Sequence, residues 1–196
     1  MSTLRPDLAA IAAHVAPGSR VLDIGCGDGA LMAELESASG CDARGMELDG
    51  ALVGRCVSRG LSVVQGDANL DLANYPDKAF DYAILSQTLQ TATRPDLILD
   101  ELLRVGRRAF VSFPNFAHWR TRAALMFGGR MPVTRALPVS WYETENIHHV
   151  TVEDFRELAR IKQARIERAW FFSNEKQIGA SAANWRAEFA VFELSR

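Results

Sequence analysis

Short apolar runs alternate along this chain with segments whose apolar residues recur at helical spacing. The runs predict strands at 20–24, 42–47, 61–65, 80–85 and 108–113. The helical spacing predicts helices at about 29–38, 50–59 and 95–104. Alternation of this kind implies right-handed strand–helix–strand units and a parallel sheet covered by helices on both faces.

The sequence before and after this alternating pattern predicts further helices and strands. A first helix opens at Pro6 and stops before Pro17-Gly18, and residues 151–154 form a capping box that begins another helix. Two last runs, at about 164–172 and 185–193, predict a closing antiparallel pair. We therefore expect one α/β domain over 1–196, doubly wound and Rossmann-like, with a mostly parallel seven-stranded sheet.

The segment at 114–147 departs from the alternation and is rich in aromatic, basic and proline residues. A connection of this length in a compact domain is usually functional or mobile, so we expect it to contact a partner or a substrate. Trp119 fits the centre of an interface. Two interpretations stay open for the arginines of this segment: they form a basic patch over the mouth of the ligand site, or they lie on a solvated loop face. These arginines are Arg120, Arg122, Arg130 and Arg135.

Composition narrows the function classes. The 196 residues carry 22 Lys and Arg against 24 Asp and Glu, a net charge of −2, which favours neither nucleic acid nor an anionic membrane. Cys26, Cys41 and Cys56 form neither a disulfide framework nor a metal-ligand pattern. Without a membrane-length apolar run or a signal peptide, the sequence predicts a soluble, cytoplasmic protein.

The glycine-rich turn after the first strand gives the most specific indication of a ligand. Gly25 and Gly27, with Cys26 between them, allow a tight turn that approaches a ligand closely. Asp23, just before the turn, would repel a pyrophosphate and attract the ammonium and sulfonium of S-adenosylmethionine. A dinucleotide site and a turn without any ligand are the alternatives. Cys26 is either a small filler or a reactive thiol.

The next two strand ends lie at the same sheet edge and extend this site. Glu47, followed by Leu48, can accept hydrogen bonds from both ribose hydroxyls; a solvated acid at a helix start is the alternative. In Gly66-Asp67-Ala68 the aspartate can accept from the adenine amino group and the Ala68 N–H can donate to a ring nitrogen. The alternative for Asp67 is a plain turn residue.

The fourth strand ends in Leu85-Ser86-Gln87, where the methionine end of the cofactor and any acceptor would meet. Methyl transfer depends mainly on positioning, so it needs no general base unless the acceptor must lose a proton. His118, His148 and His149 are the candidate bases, although the last two also suit a loop that leads into a helix. We assign no catalytic residue.

The pattern Asp23-x-Gly25-x-Gly27-x-Gly29, with Glu47, 66–68 and 80–82, resembles class I S-adenosylmethionine-dependent methyltransferases over about residues 20–113. Motifs in the rest of the chain are similar to the MetW family of methionine biosynthesis. They are 86–90, 112–120, 129–134 with 137–138, and 141–148.

This resemblance implies a methyltransferase-like fold that binds S-adenosylmethionine or S-adenosylhomocysteine. It also implies association with a MetX-type homoserine O-acyltransferase as a supporting subunit. A working methyltransferase on a small-molecule acceptor is the alternative. No amine-binding Asn-Pro-Pro-Tyr motif follows the fourth strand, which weakens a nucleic-acid or protein amine methylase interpretation.

Overall fold

The computed structural model describes residues 4–134 and 137–196. Its strands are β1 (Arg20–Ile24), β2 (Asp42–Glu47), β3 (Ser62–Gln65), β4 (Phe80–Ser86), β5 (Gly106–Pro114), β6 (Arg165–Ser173), β7 (Lys176–Ile178) and β8 (Phe189–Ser195). Its α-helices are α1 (Pro6–Ala12), α2 (Ala30–Ser39), α3 (Gly50–Ser58), α4 (Ala68–Asp71), α5 (Pro95–Val105), α6 (Trp119–Gly128), α7 (Val152–Ile161) and α8 (Ala183–Arg186). Short 3-10 turns cover Leu72–Asn74 and Leu89–Thr91.

The strands form one sheet in the order β3-β2-β1-β4-β5-β8-β6-β7. Neighbours from β3 to β5 pair in parallel, whereas β8 runs antiparallel to both β5 and β6. The predicted α/β class with its antiparallel closing pair is confirmed. The described sheet has eight strands rather than seven, because the three-residue β7 pairs with the end of β6 in a hairpin too short to show a pattern in the sequence.

The predicted last strand at 185–193 begins too early. Residues 183–186 form α8, and the strand begins at Phe189. Trp185 is half exposed, so its hydrophobicity does not place it in the sheet. In the sequence, an aromatic residue in a one-turn helix looks the same as the start of an apolar strand.

The core lies on both faces of the sheet, because successive strand residues point to opposite sides. Leu22 packs in a cluster with residues of α5 and α7, such as Leu99 and Phe155. Its neighbour Val21 packs in the other cluster, with Ile11 of α1 and with residues of α2. Five parallel strands covered in this way bring their carboxyl ends to one edge, where the candidate site lies.

The segment at 114–147 contains a helix that its pattern does not predict. In α6 the side chains of Met126 and Phe127 are 73% and 81% exposed, so no apolar stripe marks the helix. His118 caps its first turn, with Nδ1 accepting the Arg120 N–H at 3.3 Å.

The predicted capping box is also present, since Thr151 Oγ1 accepts the Asp154 N–H at 3.1 Å. Among the described residues, no helix has the length and apolarity to cross a membrane.

Candidate functional site

The turn between β1 and α2 is held against two neighbouring strands. The Gly25 N–H donates to the Met46 carbonyl of β2 at 2.8 Å. Gly25 has a φ of +69°, and a Cβ added there would lie 2.5 Å from Thr88 Oγ1, after β4. Only glycine therefore brings this turn so close to the end of β4.

A cavity of about 550 Å³ opens beside the turn. It is lined by Leu4, Arg5, Leu8, Asp23, Gly25, Cys26, Gly27, Asp28, Ala30, Leu31, Ser86, Gln87 and Thr88. Six of the predicted cofactor residues meet here: Asp23, Gly25, Cys26, Gly27, Ser86 and Gln87. Residues from β1, its turn and the end of β4 thus surround one space of a size typical for small ligands.

Asp23 is the buried acid of this cavity, with a relative exposure of 2%. Burial raises its pKa to about 7, against the opposing charge of Arg5 and with a smaller contribution from Glu47. No described residue donates a hydrogen bond to its carboxylate. A cationic ligand group would supply the missing partner and favour the ionised form.

Glu47 ends β2 and binds the turns on either side of it. Its Oε2 accepts the Gly27 N–H at 2.8 Å, and its Oε1 accepts the N–H groups of Leu48 at 2.8 Å and Asp49 at 3.0 Å. Glu47 is therefore more than a solvated acid at a helix start, because its carboxylate holds backbone groups of two turns. A carboxylate has about four lone-pair sites, so one remains here for a ligand hydroxyl.

Gly66, Asp67 and Ala68 follow β3 at the same sheet edge but line no part of the Asp23 cavity. Asp67 caps α4, with Oδ1 accepting the Asn69 N–H at 2.8 Å. Gly66 lines a separate small cavity of about 300 Å³. Asp67 therefore has a local structural role, as in the alternative interpretation of a plain turn residue. An adenine contact from this segment stays a prediction.

Leu48 and Leu85 differ from the other predicted residues. Leu48 is 64% exposed after β2, where a flat ligand face could cover it. The Leu85 side chain is fully buried in the core, so only its backbone can reach a ligand.

Ser86 belongs to a buried network that ties α1 to the sheet. Its Oγ lies 3.0 Å from Asp7 Oδ2 and 3.0 Å from Ser112 Oγ of β5. Ser112 Oγ also donates to Asp7 Oδ2 at 3.1 Å. Gln87 follows with a φ of +55°, its N–H donating to the Ser112 carbonyl at 2.9 Å.

Arg5 is the functional candidate that the sequence did not reveal. Its Nη2 donates to Ser86 Oγ at 3.1 Å and lies 3.3 Å from Asp7 Oδ2. It is the one cation among the described residues that line the Asp23 cavity. Eighty-one positions separate Arg5 from Ser86, so no local spacing could connect them.

Cys26 fits the space-filling interpretation. Its side chain is buried, and burial raises the pKa of its thiol, with nearby carboxylates adding to the effect. The thiolate needed for nucleophilic chemistry is therefore disfavoured.

The three candidate histidines lie outside the Asp23 cavity. His118 is buried at the start of α6, and burial lowers its pKa. The His148 N–H donates to the Gln90 carbonyl at 3.0 Å, and the His149 ring packs 4.8 Å from that of Phe116. These contacts match the loop-ordering alternative, and no catalytic residue is assigned. The described residues contain no cluster of acids, histidines or cysteines able to hold a metal.

The basic residues of 114–147 are divided among different contacts. Arg120 stacks 5.4 Å above Trp119, and Arg122 stacks 5.3 Å above Trp185. Arg130 lines an apolar cavity of about 780 Å³ beneath the segment. Arg135 lies outside the described residues.

The fold is that of S-adenosylmethionine-dependent methyltransferases. A structure of such an enzyme from Mesorhizobium loti superposes with a TM-score of 0.73 at 18% identity, over 97% of this chain and 98% of that one. Another from Archaeoglobus fulgidus gives a TM-score of 0.72 at 16% identity, over 96% and 91%.

Among proteins of this fold, the chain belongs to the family of methionine biosynthesis protein MetW, whose model matches residues 5–194. It is 36% identical over 165 residues to the bifunctional methionine biosynthesis protein MetXA/MetW of Rhodopirellula baltica, a match covering 80% of this chain. A sterol 24-C-methyltransferase of Schizosaccharomyces pombe is 32% identical over 97 residues, 46% of this chain. The chain spans about a quarter of the length of each of these relatives (26%).

Proposed function

We propose that the chain binds S-adenosylmethionine or S-adenosylhomocysteine at the carboxyl ends of β1 to β4. The observation that carries this proposal is Asp23, a buried carboxylate beside a glycine turn to which no residue of the described ranges donates a hydrogen bond. A phosphate group would meet this carboxylate and that of Asp28 on the same cavity wall. A ligand with an ammonium and a sulfonium meets charges of opposite sign.

Each end of such a ligand has a partner at this edge. Asp23 would hold the ammonium, and Arg5 would face the carboxylate of the methionine part. Glu47 would accept from the ribose, and Asp67 with the Ala68 N–H would hold adenine. When bound, S-adenosylmethionine supplies an electrophilic methyl group; the residues described here bind and orient the cofactor.

The role we propose is that of a supporting subunit of a homoserine O-acyltransferase of the MetX type. The family is named for methionine biosynthesis, and the name of the Rhodopirellula relative joins a MetXA part to a MetW part in one polypeptide. Parts that are fused in one protein commonly contact each other. Cofactor binding would then let the level of a product of methionine metabolism influence the acyltransferase.

The segment at 114–147 offers the surface for that contact. Its exposed large side chains include Trp119 (43%), Phe127 (81%) and Trp141 (73%). Exposed aromatic residues next to arginines, such as the stacked Trp119 and Arg120, have the composition of interface centres. The proposed subunit contact would therefore use the exposed aromatic residues of this segment, which do not line the Asp23 cavity.

The test is to combine the purified chain with the acyltransferase and to measure co-purification and acyl transfer, with and without each form of the cofactor. We expect a complex and a change in activity that depends on the chain. No co-purification together with unchanged activity would refute the subunit role. Methylated product from a small acceptor would favour the alternative, a working methyltransferase.

A double variant, Trp119→Ala with Arg120→Ala, separates the two possible roles of the segment. We expect it to weaken acyltransferase binding more than cofactor binding. The control removes a matched pair on α7, with Arg160→Ala and Ile161→Ala, where Ile161 is 59% exposed. If cofactor binding suffers more than partner binding, the segment is a lid.

A further inference from the structure

The apolar cavity of about 780 Å³ beneath the segment at 114–147 has no part in the proposed cofactor contacts. We call it the Arg130 cavity. None of the described residues that line it also lines the Asp23 cavity, so the two spaces share no wall. Apolar side chains make up much of its wall, among them Phe116, Leu125, Met131, Leu137, Val139 and Trp141. Its volume lies within the range of small-molecule binding sites.

One wall of the Arg130 cavity is anchored to the rest of the domain. The Phe116 N–H, just after β5, donates to the Val150 carbonyl at 3.0 Å. The His149 ring packs against the Phe116 ring with centroids 4.8 Å apart. The N–H groups of residues 147 and 148 both donate to the Gln90 carbonyl at 3.0 Å. These contacts hold this wall in place whether or not a ligand is bound.

Three polar side chains of this cavity have no polar partner in the part of the chain that the structure describes. Arg130, Asn146 and His149 line the cavity, and their side chains form neither a hydrogen bond nor an ion pair with another described residue. The guanidinium, amide and imidazole groups can each donate a hydrogen bond. Asn146 and His149 stand at the two ends of the stretch that Gln90 holds, so the backbone fixes their place. The cavity therefore offers donors that are free for a ligand.

Arg130 gives the cavity a positive charge that no carboxylate neutralises. The described lining contains no Asp or Glu, and Arg130 is its one arginine or lysine. None of the carboxylates of the described residues pairs with this guanidinium. Residues 1–3 and 135–136, which lie outside the described ranges, include no Asp or Glu that could do so. The cavity is therefore electropositive and suits an anion.

The single positive charge favours a carboxylate over a phosphate ester. A guanidinium has a planar fork of N–H groups that matches the two oxygens of a carboxylate. A phosphate monoester carries a charge of about −1.5 to −2 at pH 7, so part of its charge would have no cation in this cavity. The apolar walls add a second requirement, because a ligand gains from them only if it buries carbon atoms there.

We propose that the Arg130 cavity binds a small monocarboxylate with an apolar body, its carboxylate against Arg130 and its carbon skeleton against the apolar wall that includes Phe116 and Leu137. Asn146 and His149 offer donors to further oxygen atoms of the ligand. The bound carboxylate would lie beneath the surface proposed for the acyltransferase. This site depends neither on cofactor binding nor on the acyltransferase.

4-Phenylbutyrate, 4-phenylbutanol and 4-phenylbutylamine share one apolar body and differ in charge, so they test the proposal as ligands in saturation-transfer NMR titrations of the whole chain. We expect the carboxylate to bind about fivefold more tightly than the alcohol, the gain typical of an ion pair with an exposed arginine, and the amine to bind most weakly. The net charge of −2 gives anions no general advantage, so this order would come from the cavity.

Variants of Arg130 locate the preference. Arg130→Gln should lower the affinity for 4-phenylbutyrate to that for the alcohol, whereas Arg130→Lys should keep part of the preference because it keeps the charge. Arg55→Gln is the matched control. Arg55 is an exposed arginine of α3 that lies outside the cavity and forms no ion pair with a described residue, so its loss should leave the preference intact.

Val139→Trp tests the apolar wall, because the larger side chain fills the cavity and leaves Arg130 in place. We expect it to weaken binding of all three compounds. Equal affinities for the carboxylate and the alcohol in the unaltered chain would overturn the proposal, as would a preference that survives Arg130→Gln. If none of the three compounds binds, the proposal also fails, and a partner protein becomes the occupant to test. These titrations contain neither S-adenosylmethionine nor the acyltransferase, so their failure would leave the proposed function untouched.

Discussion

Replacing Glu47 by alanine tests the cofactor site at the carboxylate that joins two of its turns. Its carboxylate accepts three backbone N–H groups at 2.8 to 3.0 Å, one from the turn after β1 and two from the turn after β2. The substitution removes the proposed acceptor of one ribose hydroxyl and also releases the two turns from each other. Both effects act against cofactor binding.

The expected magnitude follows from the type of bond. A hydrogen bond to a charged group contributes about 1.5–3 kcal/mol, which corresponds to a loss of affinity of about 10- to 100-fold. Glu47 is only partly buried, so water can replace some of the lost backbone contacts and the folded state should lose about 1 kcal/mol. Binding should therefore suffer more than stability.

Isothermal titration with S-adenosylmethionine and S-adenosylhomocysteine measures the first effect, and thermal unfolding measures the second. Glu47→Gln should fall between the original and Glu47→Ala, because the amide keeps one acceptor oxygen but turns an NH₂ group towards a backbone donor. Glu153→Ala, on α7, is the control acid outside the site and should leave the cofactor affinity unchanged. An affinity unaltered in a folded Glu47→Ala protein would remove Glu47 from the site.

Four further predictions concern three residues in and beside the turn after β1. Because burial raises the pKa of Asp23 to about 7, its ionised fraction grows from about a tenth at pH 6 to about nine tenths at pH 8. Calorimetry should therefore show S-adenosylmethionine binding about tenfold more tightly at pH 8 than at pH 6. Asp23 should also make the free protein less stable as pH rises from about 4 to about 7, since the folded state keeps a proton that the unfolded chain has lost. Asp23→Asn should remove the pH dependence of binding and that of stability. If either pH dependence persists in this variant, it does not come from Asp23. Gly25→Ala should lower stability by more than about 1 kcal/mol in denaturant unfolding, because φ is positive and the new Cβ would meet Thr88; a variant of normal stability would show that the turn can move aside. Cys26 should react with iodoacetamide slowly in the folded protein and readily after denaturation, as mass spectrometry would show, and rapid labelling of the native chain would argue for a reactive thiol.

Local patterns were enough to predict the strand–helix alternation and the core of the candidate site. Asp23, Gly25 and Gly27 belong to one short motif, and the parallel sheet brings the end of β4 to the same edge. For this reason Ser86 and Gln87 could be placed beside the turn without knowledge of any contact. The family resemblance through the middle of the chain agreed with the family match over residues 5–194.

The features that were missed depend on distant or unpatterned residues. The bonds from Arg5 and Asp7 to Ser86 and Ser112 join positions 79 to 105 residues apart, which spacing along the chain does not encode. Helix α6 exposes much of its apolar surface, so it lacks the one-sided stripe by which a helix is normally detected. A separate cavity of about 410 Å³, lined by residues that include Pro6, Pro114 and Phe189, combines α1, the end of β5, the start of β8 and a loop, and it exists only after these elements have packed.

The place of β8 has a consequence for how the chain reaches this state. The strand comes last in the sequence but lies between β5 and β6, so the β6–β7 hairpin has no partner in the sheet until residues 189–195 have been synthesised. Pairings between strands so distant in sequence slow folding, because a long loop must close before any contact compensates. A nascent chain would therefore carry two separate pieces of sheet, the strands from β3 to β5 and the β6–β7 hairpin, whose facing edges stay unpaired until β8 is made.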